Sequence, residues 1–248
     1  MCCRKLVLGV LWAVLGVFGC LALGGAAETA PAGKIKVLYV FNGGHDGKAF
    51  VALLGKVLEG TGDFTLATAL TAGELKAENV GKYDLVLFYG SGGTISDPKQ
   101  EQGLWNFVHQ GGGIVAVHAT DANKSSDVYW ELLGGRFIGH GSGKYTAYIY
   151  DHDHPITAGL KDFEIADETY AHQYHKNACM RCLVRMDRGN ERQSMAWVQQ
   201  FGKGRVFTTG FGDNRGAWGN PQFQRLVVRA AYWAAGRVPK DLPAGPAN

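Results

Sequence analysis

The sequence lacks the charge excess that a nucleic-acid-binding surface would need. Lysine and arginine number 25 and aspartate and glutamate number 22, so the formal net charge is only +3. Two basic residues and no acidic ones lie in residues 1–27, and without that segment the net charge is 23 − 22 = +1. A nearly neutral chain has little to attract a phosphate backbone. We therefore expect no nucleic-acid partner.

Cysteine is also scarce. Of the five cysteines, only Cys179 and Cys182 lie beyond Cys20, in the order Cys-Met-Arg-Cys. No second pair with this spacing and no thioredoxin-like context is present, so the pattern gives little support to a redox or metal site. We expect a short-loop disulfide or two unpaired thiols, and a redox or metal-binding pair is the alternative.

The composition lacks the features of a disordered chain. Hydrophobic residues make up 46% and charged residues 19% of the sequence, which is usual for a folded domain. A chain of 248 residues can bury one substantial core. No internal repeat and no second domain is visible, and the sequence carries no signal for the oligomeric state.

The first residues have the order of a secretory signal. A short basic start precedes an almost wholly apolar run from Leu6 to Leu23, and small residues then lead to Glu28. We expect residues 1–27 to be a signal peptide cut near Ala27, and the chain to be periplasmic or secreted. An uncleaved membrane anchor and a lipid anchor at Cys20 are the alternatives. Contact with a membrane is expected only through this segment.

Apolar runs alternate with amphipathic segments in the first half of the chain. Alternating strands and helices predict an α/β fold with a mostly parallel sheet and helices on both faces. The second half is richer in strand and less regular. The predicted helices are 49–58, 98–109 and 221–235; the predicted strands are 35–41, 64–70, 83–89, 114–118, 145–151, 183–187, 195–199 and 206–210, with a hairpin turn at 201–204.

Polar side chains follow several of the predicted strands. In an open α/β sheet, ligands bind beyond the carboxyl ends of the strands, so we expect these side chains to meet at one edge although they are far apart in sequence. The candidates are Asn42, His45 and Asp46 after the first strand, Ser91 and Thr94 after the third, His118, Thr120 and Asp121 after the fourth, and Asp213, Asn214 and Arg215 after a late strand.

A second set of candidates, between residues 140 and 175, combines histidines with carboxylates. Such sets bind divalent metals or act as general acids and bases near neutral pH. No compact signature such as HExxH is present, so a divalent metal such as zinc and metal-free acid–base chemistry both stay open. The set comprises His140, His152, His154, Asp167, Glu168, Tyr170, His172 and His175; the predicted metal ligands are His45, His118, His140 and His175.

His118 is the strongest single candidate, because it follows the buried strand Ile114–Val117, where a packed histidine is rare without a partner. Asp167 and Glu168 are expected at the end of an element, where one forms an ion pair and the other is functional. Alternative roles are a helix cap for His45 and a solvated turn for residues 151–155.

Two catalytic signatures are incomplete. Gly139–Lys144 is similar to a phosphate-binding loop, but Tyr145 occupies the Ser/Thr position. The segment Tyr89–Gly93 is similar to a nucleophile elbow, but tyrosine replaces its first glycine. No dinucleotide-binding fingerprint is present.

Six blocks, in order along the chain, resemble the ThuA-like (trehalose-utilisation) family. The resemblance covers residues 34–238, which we expect to form one ThuA-like domain, followed by a loose tail at 239–248. The blocks are Gly111–Thr120, Leu132–Phe137 with Gly139 and His140, His154–Leu160, Asp167–Tyr170, Phe201–Phe207 and Trp233–Gly236.

The resemblance implies a flavodoxin-like, doubly wound fold related to class I glutamine amidotransferases. In those enzymes a cysteine nucleophile follows the strand that resembles Ile114–Val117, whereas this chain has His118 there. Amidotransferase chemistry is therefore not expected, since it requires a thiolate. The family is associated with trehalose and related sugars, including oxidised (keto) disaccharides.

These observations predict an exported enzyme, a lyase, hydrolase or isomerase, that acts on a sugar or keto-sugar. The catalytic candidates are His118, His45 and Glu168; the substrate-binding candidates are Asn42, Ser91, Asp121, Trp130, Tyr170, Asp213 and Trp218, with the aromatic rings as surfaces for a sugar. A non-catalytic carbohydrate-binding or accessory module is the alternative. Asp213 favours it slightly, because the family often has histidine after the preceding glycine. A redox protein using Cys179 and Cys182 is the third possibility.

Overall fold

A computed structural model describes residues 33–43, 46–91, 95, 97–120, 126–188 and 191–242. The predicted signal segment, including Cys20, and the end of the tail from residue 243 lie outside the described residues. In the described ranges, no helix has both the length and the apolar character needed to cross a membrane.

The first half of the chain forms a parallel sheet. Its strands are β1 (Ile35–Asn42), β2 (Phe64–Ala69), β3 (Leu85–Ser91) and β4 (Gly113–Ala119), and its helical segments are α1 (Gly47–Gly60), a 3₁₀ turn (Ala72–Leu75), α2 (Ala77–Val80) and α3 (Pro98–His109). The spatial order is β2-β1-β3-β4, with every neighbouring pair parallel. All four carboxyl ends therefore point to one edge of the sheet.

The second half adds a largely antiparallel portion. Its elements are α4 (Asp127–Leu133), β5 (Gly135–Ile149), β6 (Phe163–Tyr174), β7 (Arg181–Arg188), β8 (Glu191–Phe201), β9 (Gly204–Thr209), α5 (Arg215–Trp218) and α6 (Pro221–Ala234). β9 lies parallel to β4 and antiparallel to β8, and the order continues β9-β8-β7-β5-β6. The predicted α/β class, with a parallel sheet and an added β-rich portion, is confirmed.

Side chains on the central strands alternate between two apolar layers. In β1, Val37 and Tyr39 pack against α1 and α6, whereas Leu38 and Val40 pack against the α3 and α4 side. Strands buried on both faces need apolar residues at successive positions. These strands could therefore be predicted from continuous apolar runs in the sequence. The helices therefore cover both faces of the sheet, as predicted.

Helix caps follow local sequence signals. The Asp97 carboxylate accepts a hydrogen bond from the Lys99 amide, and Pro98 occupies the first turn. Asn220 caps α6 in the same way. Asp46 caps α1 by accepting from the Ala49 amide at 3.0 Å. His45, the cap suggested by the sequence, lies outside the described residues.

The long β5–β6 ribbon differs from the sequence prediction. Only 145–151 was predicted as strand there, because the glycine-rich stretch from Gly139 to Gly143 has no apolar alternation. In the structure Phe163–Tyr174 is one strand paired along β5. Asp167 and Glu168 therefore lie within a strand, and the expectation that they end an element is wrong. Buried positions are odd-numbered up to Asp167 and even-numbered from Tyr170, so Asp167 is buried and Glu168 next to it is partly exposed.

Two other predictions concern the cysteines and the tail. Cys182 is a free thiol that accepts a hydrogen bond from the Ser194 hydroxyl at 3.1 Å, so a disulfide between Cys179 and Cys182 is not formed. The described start of the tail is tied down, because Asp241 forms an ion pair with Arg229 at 2.9 Å.

Candidate functional site

His118 lies where β4 ends, in a backbone conformation that side chains rarely adopt. Its φ is +57°, and it is the only non-glycine residue with positive φ within the described ranges. The Thr120 hydroxyl braces this turn, since it accepts from the Gly90 amide and lies 2.7 Å from the Val117 carbonyl oxygen. Backbone strain of this kind costs about 1–3 kcal/mol and concentrates at functional sites. The turn directs the imidazole towards β6.

The two ring nitrogens of His118 have different surroundings. Nδ1 lies 3.0 Å from the carbonyl oxygen of Gly210, and because a carbonyl only accepts, Nδ1 carries the proton. In the neutral ring Nε2 is therefore the acceptor. It lies 3.1 Å from the Tyr170 hydroxyl. The ring is fully buried, at 0% exposure.

Two carboxylates face the same nitrogen. Nε2 of His118 lies 3.6 Å from Oε2 of Glu168 and 3.6 Å from Oδ1 of Asp213. Among the described residues these three form the group that could hold a metal ion, with ligand atoms within 4.8 Å of one another. His140 touches the group from outside, with Nδ1 3.2 Å from Oε1 of Glu168. One nitrogen and two carboxylate oxygens suit first-row divalent metals.

A third carboxylate, that of Asp167, is hydrogen-bonded to the backbone of this group. It is 3% exposed and accepts backbone hydrogen bonds from Gly212 at 2.7 Å, Asp213 at 3.0 Å and Glu168 at 3.0 Å. Burial raises the pKa of Asp167 to about 7, the nearby Asp213 adds to the rise, and the three amides oppose it. Asp167 therefore binds backbone amides.

The peptide carbonyl of Gly212 is held as well as its amide. The Tyr89 hydroxyl donates to it at 3.0 Å and the Trp218 indole at 2.7 Å. Gly212 has φ of +116°, and an added Cβ would lie 3.0 Å from Cγ1 of Val117. Burial, followed by the charge of Asp213, raises the pKa of Tyr89 above its ordinary value. The amide and carbonyl of Gly212 are therefore hydrogen-bonded to three different side chains, those of Asp167, Tyr89 and Trp218.

The carboxylates open onto a depression of about 440 Å³. Its walls include Ser142, Lys144 and Asn214, and Glu168 and Asp213 line the same space. Lys144 forms an ion pair with Glu164 at 2.7 Å. The depression therefore presents hydroxyl, amide and ammonium groups around the two acids, which suits a hydrogen-bonding ligand.

Five of the predicted site residues converge: His118, Glu168, Asp213, Tyr170 and His140. Trp218 lies beside them, but its ring is 2% exposed and offers no surface to a sugar. The buried Tyr170 ring also presents its hydroxyl to His118, not a ring face to the solvent. These two findings correct the prediction that both rings stack on a substrate.

Two predicted residues lie elsewhere. Nε2 of His175 is 3.4 Å from Asp127, and five residues of extended chain, roughly 16 Å, separate it from Tyr170. The Trp130 indole donates to the Gln173 carbonyl at 3.2 Å. His175 is therefore not a ligand of the His118 group, and Trp130 does not border it.

The remaining candidates are described only in part. The backbones of Asn42 and Ser91 end β1 and β3 at the edge that carries His118: Asn42 pairs with Gly90, and Gly90 pairs with His118. The side chains of Asn42 and Ser91, and His45 and Asp121 as a whole, lie outside the described part of the chain.

The roles of Tyr89 and of the Gly210 carbonyl cannot be predicted from the sequence. Tyr89 stands out there only because it breaks a nucleophile-elbow pattern, and nothing local marks its hydrogen bond to a loop 123 residues away. A backbone acceptor such as Gly210 leaves no trace in a sequence.

Comparisons with known proteins agree with this architecture. Residues 36–234 match the model of the ThuA family, described as trehalose utilisation. A ThuA-like protein from Parabacteroides merdae has 21% identity and a TM-score of 0.72 over 85% of this chain and 94% of its own. One from Bacteroides uniformis has 16% identity and a TM-score of 0.69 over 85% and 95%. A β-galactosidase from Rahnella sp. R3 matches with 16% identity and a TM-score of 0.62 over 86% of this chain but 33% of its own.

At these identities the similar structures show the fold alone. No curated protein matches the chain. The family model spans most of the described domain, and its description supports a carbohydrate-related role. The chain belongs to the ThuA family of trehalose-utilisation proteins.

Proposed function

We propose that this chain is an exported carbohydrate-active enzyme that binds a divalent metal through His118, Glu168 and Asp213 and acts on a sugar or keto-sugar. The observation that carries the proposal is the convergence of three ligand atoms within 4.8 Å of one another at the carboxyl ends of parallel strands. Membership of the trehalose-utilisation family supports the substrate class.

The orientation of His118 supports the role of metal ligand. Metal-bound histidines usually donate their second ring N–H to a carboxylate or backbone carbonyl, which fixes the ring and its tautomer. His118 has this arrangement, with Nδ1 bound to Gly210 and Nε2 towards the acids. Ligand atoms about 2.1 Å from one ion lie at most about 4.2 Å apart. Glu168 and Asp213 are partly exposed and reach that spacing by small rotations.

Three protein ligands leave coordination positions for substrate oxygens. A metal bound there would polarise a sugar carbonyl or hydroxyl. The depression beside the group supplies hydrogen-bonding partners for the remaining hydroxyls, with Ser142, Lys144 and Asn214 in its walls. A keto-sugar, with a carbonyl beside hydroxyl groups, matches this combination of metal and polar walls.

His140 is the acid–base residue in this proposal. Its Nδ1 faces two acceptors, Oε1 of Glu168 at 3.2 Å and the Gly141 carbonyl at 3.3 Å, so that nitrogen carries the proton and Nε2 is the acceptor. The ring is about half exposed at the opening, where a substrate proton is accessible. Removal of a proton from the carbon beside a carbonyl begins elimination and isomerisation, and removal of a proton from the attacking water begins hydrolysis.

Export is part of the proposal and rests on the basic, apolar and small-residue order of residues 1–27. The N-terminal sequence of the protein recovered from its native compartment tests it. A chain that begins near Glu28 is expected. A chain that retains its first residues would contradict cleavage and favour the membrane anchor.

The metal proposal is tested by elemental analysis of the purified mature chain before and after chelation, with turnover of trehalose and a keto-disaccharide as the second readout. About one divalent metal per chain and metal-dependent turnover are expected. Asp213→Asn should lose the metal, whereas Asp187→Asn, which alters an exposed strand position, should keep it.

Three outcomes have separate meanings. A wild-type chain that retains no metal, and regains none with zinc, manganese or calcium, would overturn the metal site. Metal and sugar binding without turnover of any sugar would favour the accessory-module alternative. Metal retention in Asp213→Asn would remove that residue from the ligand set.

A further inference from the structure

The loop after β9 is held by hydrogen bonds to two successive peptide groups. The Gly212 carbonyl receives two donors, the Tyr89 hydroxyl and the Trp218 indole. The amides on either side of this carbonyl, those of Gly212 and Asp213, both donate to Asp167. The position of the Asp213 side chain therefore depends on these hydrogen bonds of the backbone.

The same Asp167 carboxylate also accepts from the amide of Glu168. The backbone amides of both acids that face His118 thus donate to the same buried carboxylate, that of Asp167. The two acids lie 45 residues apart in sequence, at positions 168 and 213. A buried carboxylate is costly unless it is hydrogen-bonded, and three amide donors meet that need. The arrangement couples β6 to the loop at the site.

We propose that Asp167 is a positioning residue that sets the spacing of Glu168 and Asp213 around Nε2 of His118. Its metal aspect rests on the proposed function, but its geometric aspect does not. Asp167 accepts with both carboxylate oxygens, Oδ2 from Gly212 and Oδ1 from Asp213 and Glu168. Outer partners of this kind typically change metal affinity by 10–100-fold when replaced.

Asp167→Asn is the informative substitution. It keeps the shape of the side chain but replaces one acceptor oxygen with an NH₂ group, which must face an amide donor. The loop or β6 then has to move, and the carboxylates move with it. Thr157→Val is the matched control, because it removes a buried hydroxyl bonded to a backbone carbonyl in the 151–160 turn without touching the site.

The first measurement uses metal-free protein, with the His118 ring and the Gly212 and Asp213 amides followed by NMR. Asp167→Asn is expected to shift all three sets of signals, whereas Thr157→Val is expected to leave them unchanged even where both variants lower the melting temperature. Unshifted His118 and Asp213 signals in Asp167→Asn would overturn the proposal. If that variant does not fold, Asp167→Ser, which keeps one smaller acceptor, is measured in its place.

The second measurement is a Mn²⁺ titration followed by electron paramagnetic resonance. Asp167→Asn is expected to bind Mn²⁺ about 10–100-fold more weakly than wild type, and Thr157→Val within twofold. Equal affinity in Asp167→Asn would overturn the metal aspect. A wild-type chain that binds no Mn²⁺ would count against the proposed function, and the metal-free spectra would still decide the role of Asp167.

Discussion

Two histidines in different regions are almost equally buried and have opposite hydrogen-bond roles. His118, at the end of β4, is 0% exposed, and His154, in the 151–160 turn, is 4% exposed. Each binds the backbone through Nδ1. His118 donates to the Gly210 carbonyl, whereas His154 accepts from the Ile156 amide at 3.2 Å. The remaining nitrogen of His118 faces two carboxylates, and the His154 ring lies edge-on to Trp233.

The surroundings of His154 keep it neutral. Burial lowers the pKa of His154 to about 4, and the positive charge of Arg181 adds to the fall, while Asp151 partly opposes it. A neutral, fully packed imidazole that accepts one backbone bond stabilises a turn. Burial alone therefore does not distinguish His118, the proposed metal ligand, from His154. The direction of the backbone bond and the charges around the second nitrogen separate them.

The largest expected effect is the contrast between His118→Asn and His154→Asn. Asparagine retains the bond made by Nδ1 in each case, since its amide nitrogen donates at 118 and its oxygen accepts at 154, but it lacks Nε2. His118→Asn is expected to abolish metal retention and, with it, the metal-dependent turnover. His154→Asn is expected to change both by less than twofold. Elemental analysis and kinetics on a confirmed substrate measure this contrast, and equal losses in the two variants would break the comparison.

A pH dependence of stability is expected from His154. Its folded pKa of about 4 lies below the unfolded value of 6.5, so the unfolded chain binds a proton first as the pH falls. The contribution is present above pH 6.5 and is lost between about 6.5 and 4, by at most about 3 kcal/mol. Denaturant unfolding at pH 7 and pH 5 measures it. His154→Asn should remove this part of the dependence; an unchanged slope would show that His154 does not titrate as inferred.

Two glycines with positive φ extend the comparison to the backbone. Gly159 in the turn has φ of +76° with no atom within 4 Å of an added Cβ, whereas an added Cβ at Gly212 would crowd Val117. Alanine at either position strains the backbone by about 1 kcal/mol. Gly212→Ala is expected to cost about 2 kcal/mol in unfolding free energy and also to weaken metal binding. Gly159→Ala with weakened metal binding would contradict the assignment of that turn as structural.

The smallest expected effect concerns the Tyr170 hydroxyl beside Nε2 of His118. Tyr170→Phe removes one hydrogen bond, worth about 0.5–1.5 kcal/mol. Metal affinity or kcat/KM should fall by about two- to tenfold, with the fold intact by circular dichroism. A loss as large as that of His118→Asn would mean that the phenol, and not the carboxylates, is the main partner of the imidazole.

Much of the first half could be predicted because its signals are local. Strand β1 is a continuous apolar run, and α3 begins with Asp97 followed by Pro98, so short stretches contain enough information. The same reasoning marked His118, because a polar ring at the exit of a buried strand is unusual in the sequence alone. The hairpin turn at 201–204 could also be predicted from local residues, and β8 and β9 pair across it.

The β5–β6 ribbon could not be predicted from the sequence, because its stability comes from the pairing of the two strands. Gly139–Gly143 has little strand propensity, yet it pairs with the strand that carries Asp167 and Glu168. His175 and Trp130 lie away from the His118 group for a related reason. β6 is long, so His175, which follows its last residue, is far from Tyr170, and Trp130 on α4 bonds to Gln173 near that far end of β6.

The sequence by itself predicted the sheet's central strands, the three long helices α1, α3 and α6, and the family, and it marked His118 as a candidate. Each of these depends on neighbouring residues or on ordered blocks. The tertiary structure alone decided which acids face that histidine. Glu168 and Asp213 lie 50 and 95 residues beyond position 118, and they meet it only because β9 lies beside β4 and the loop after β9 is bonded to β6. Long-range register, and not local preference, assembles the site.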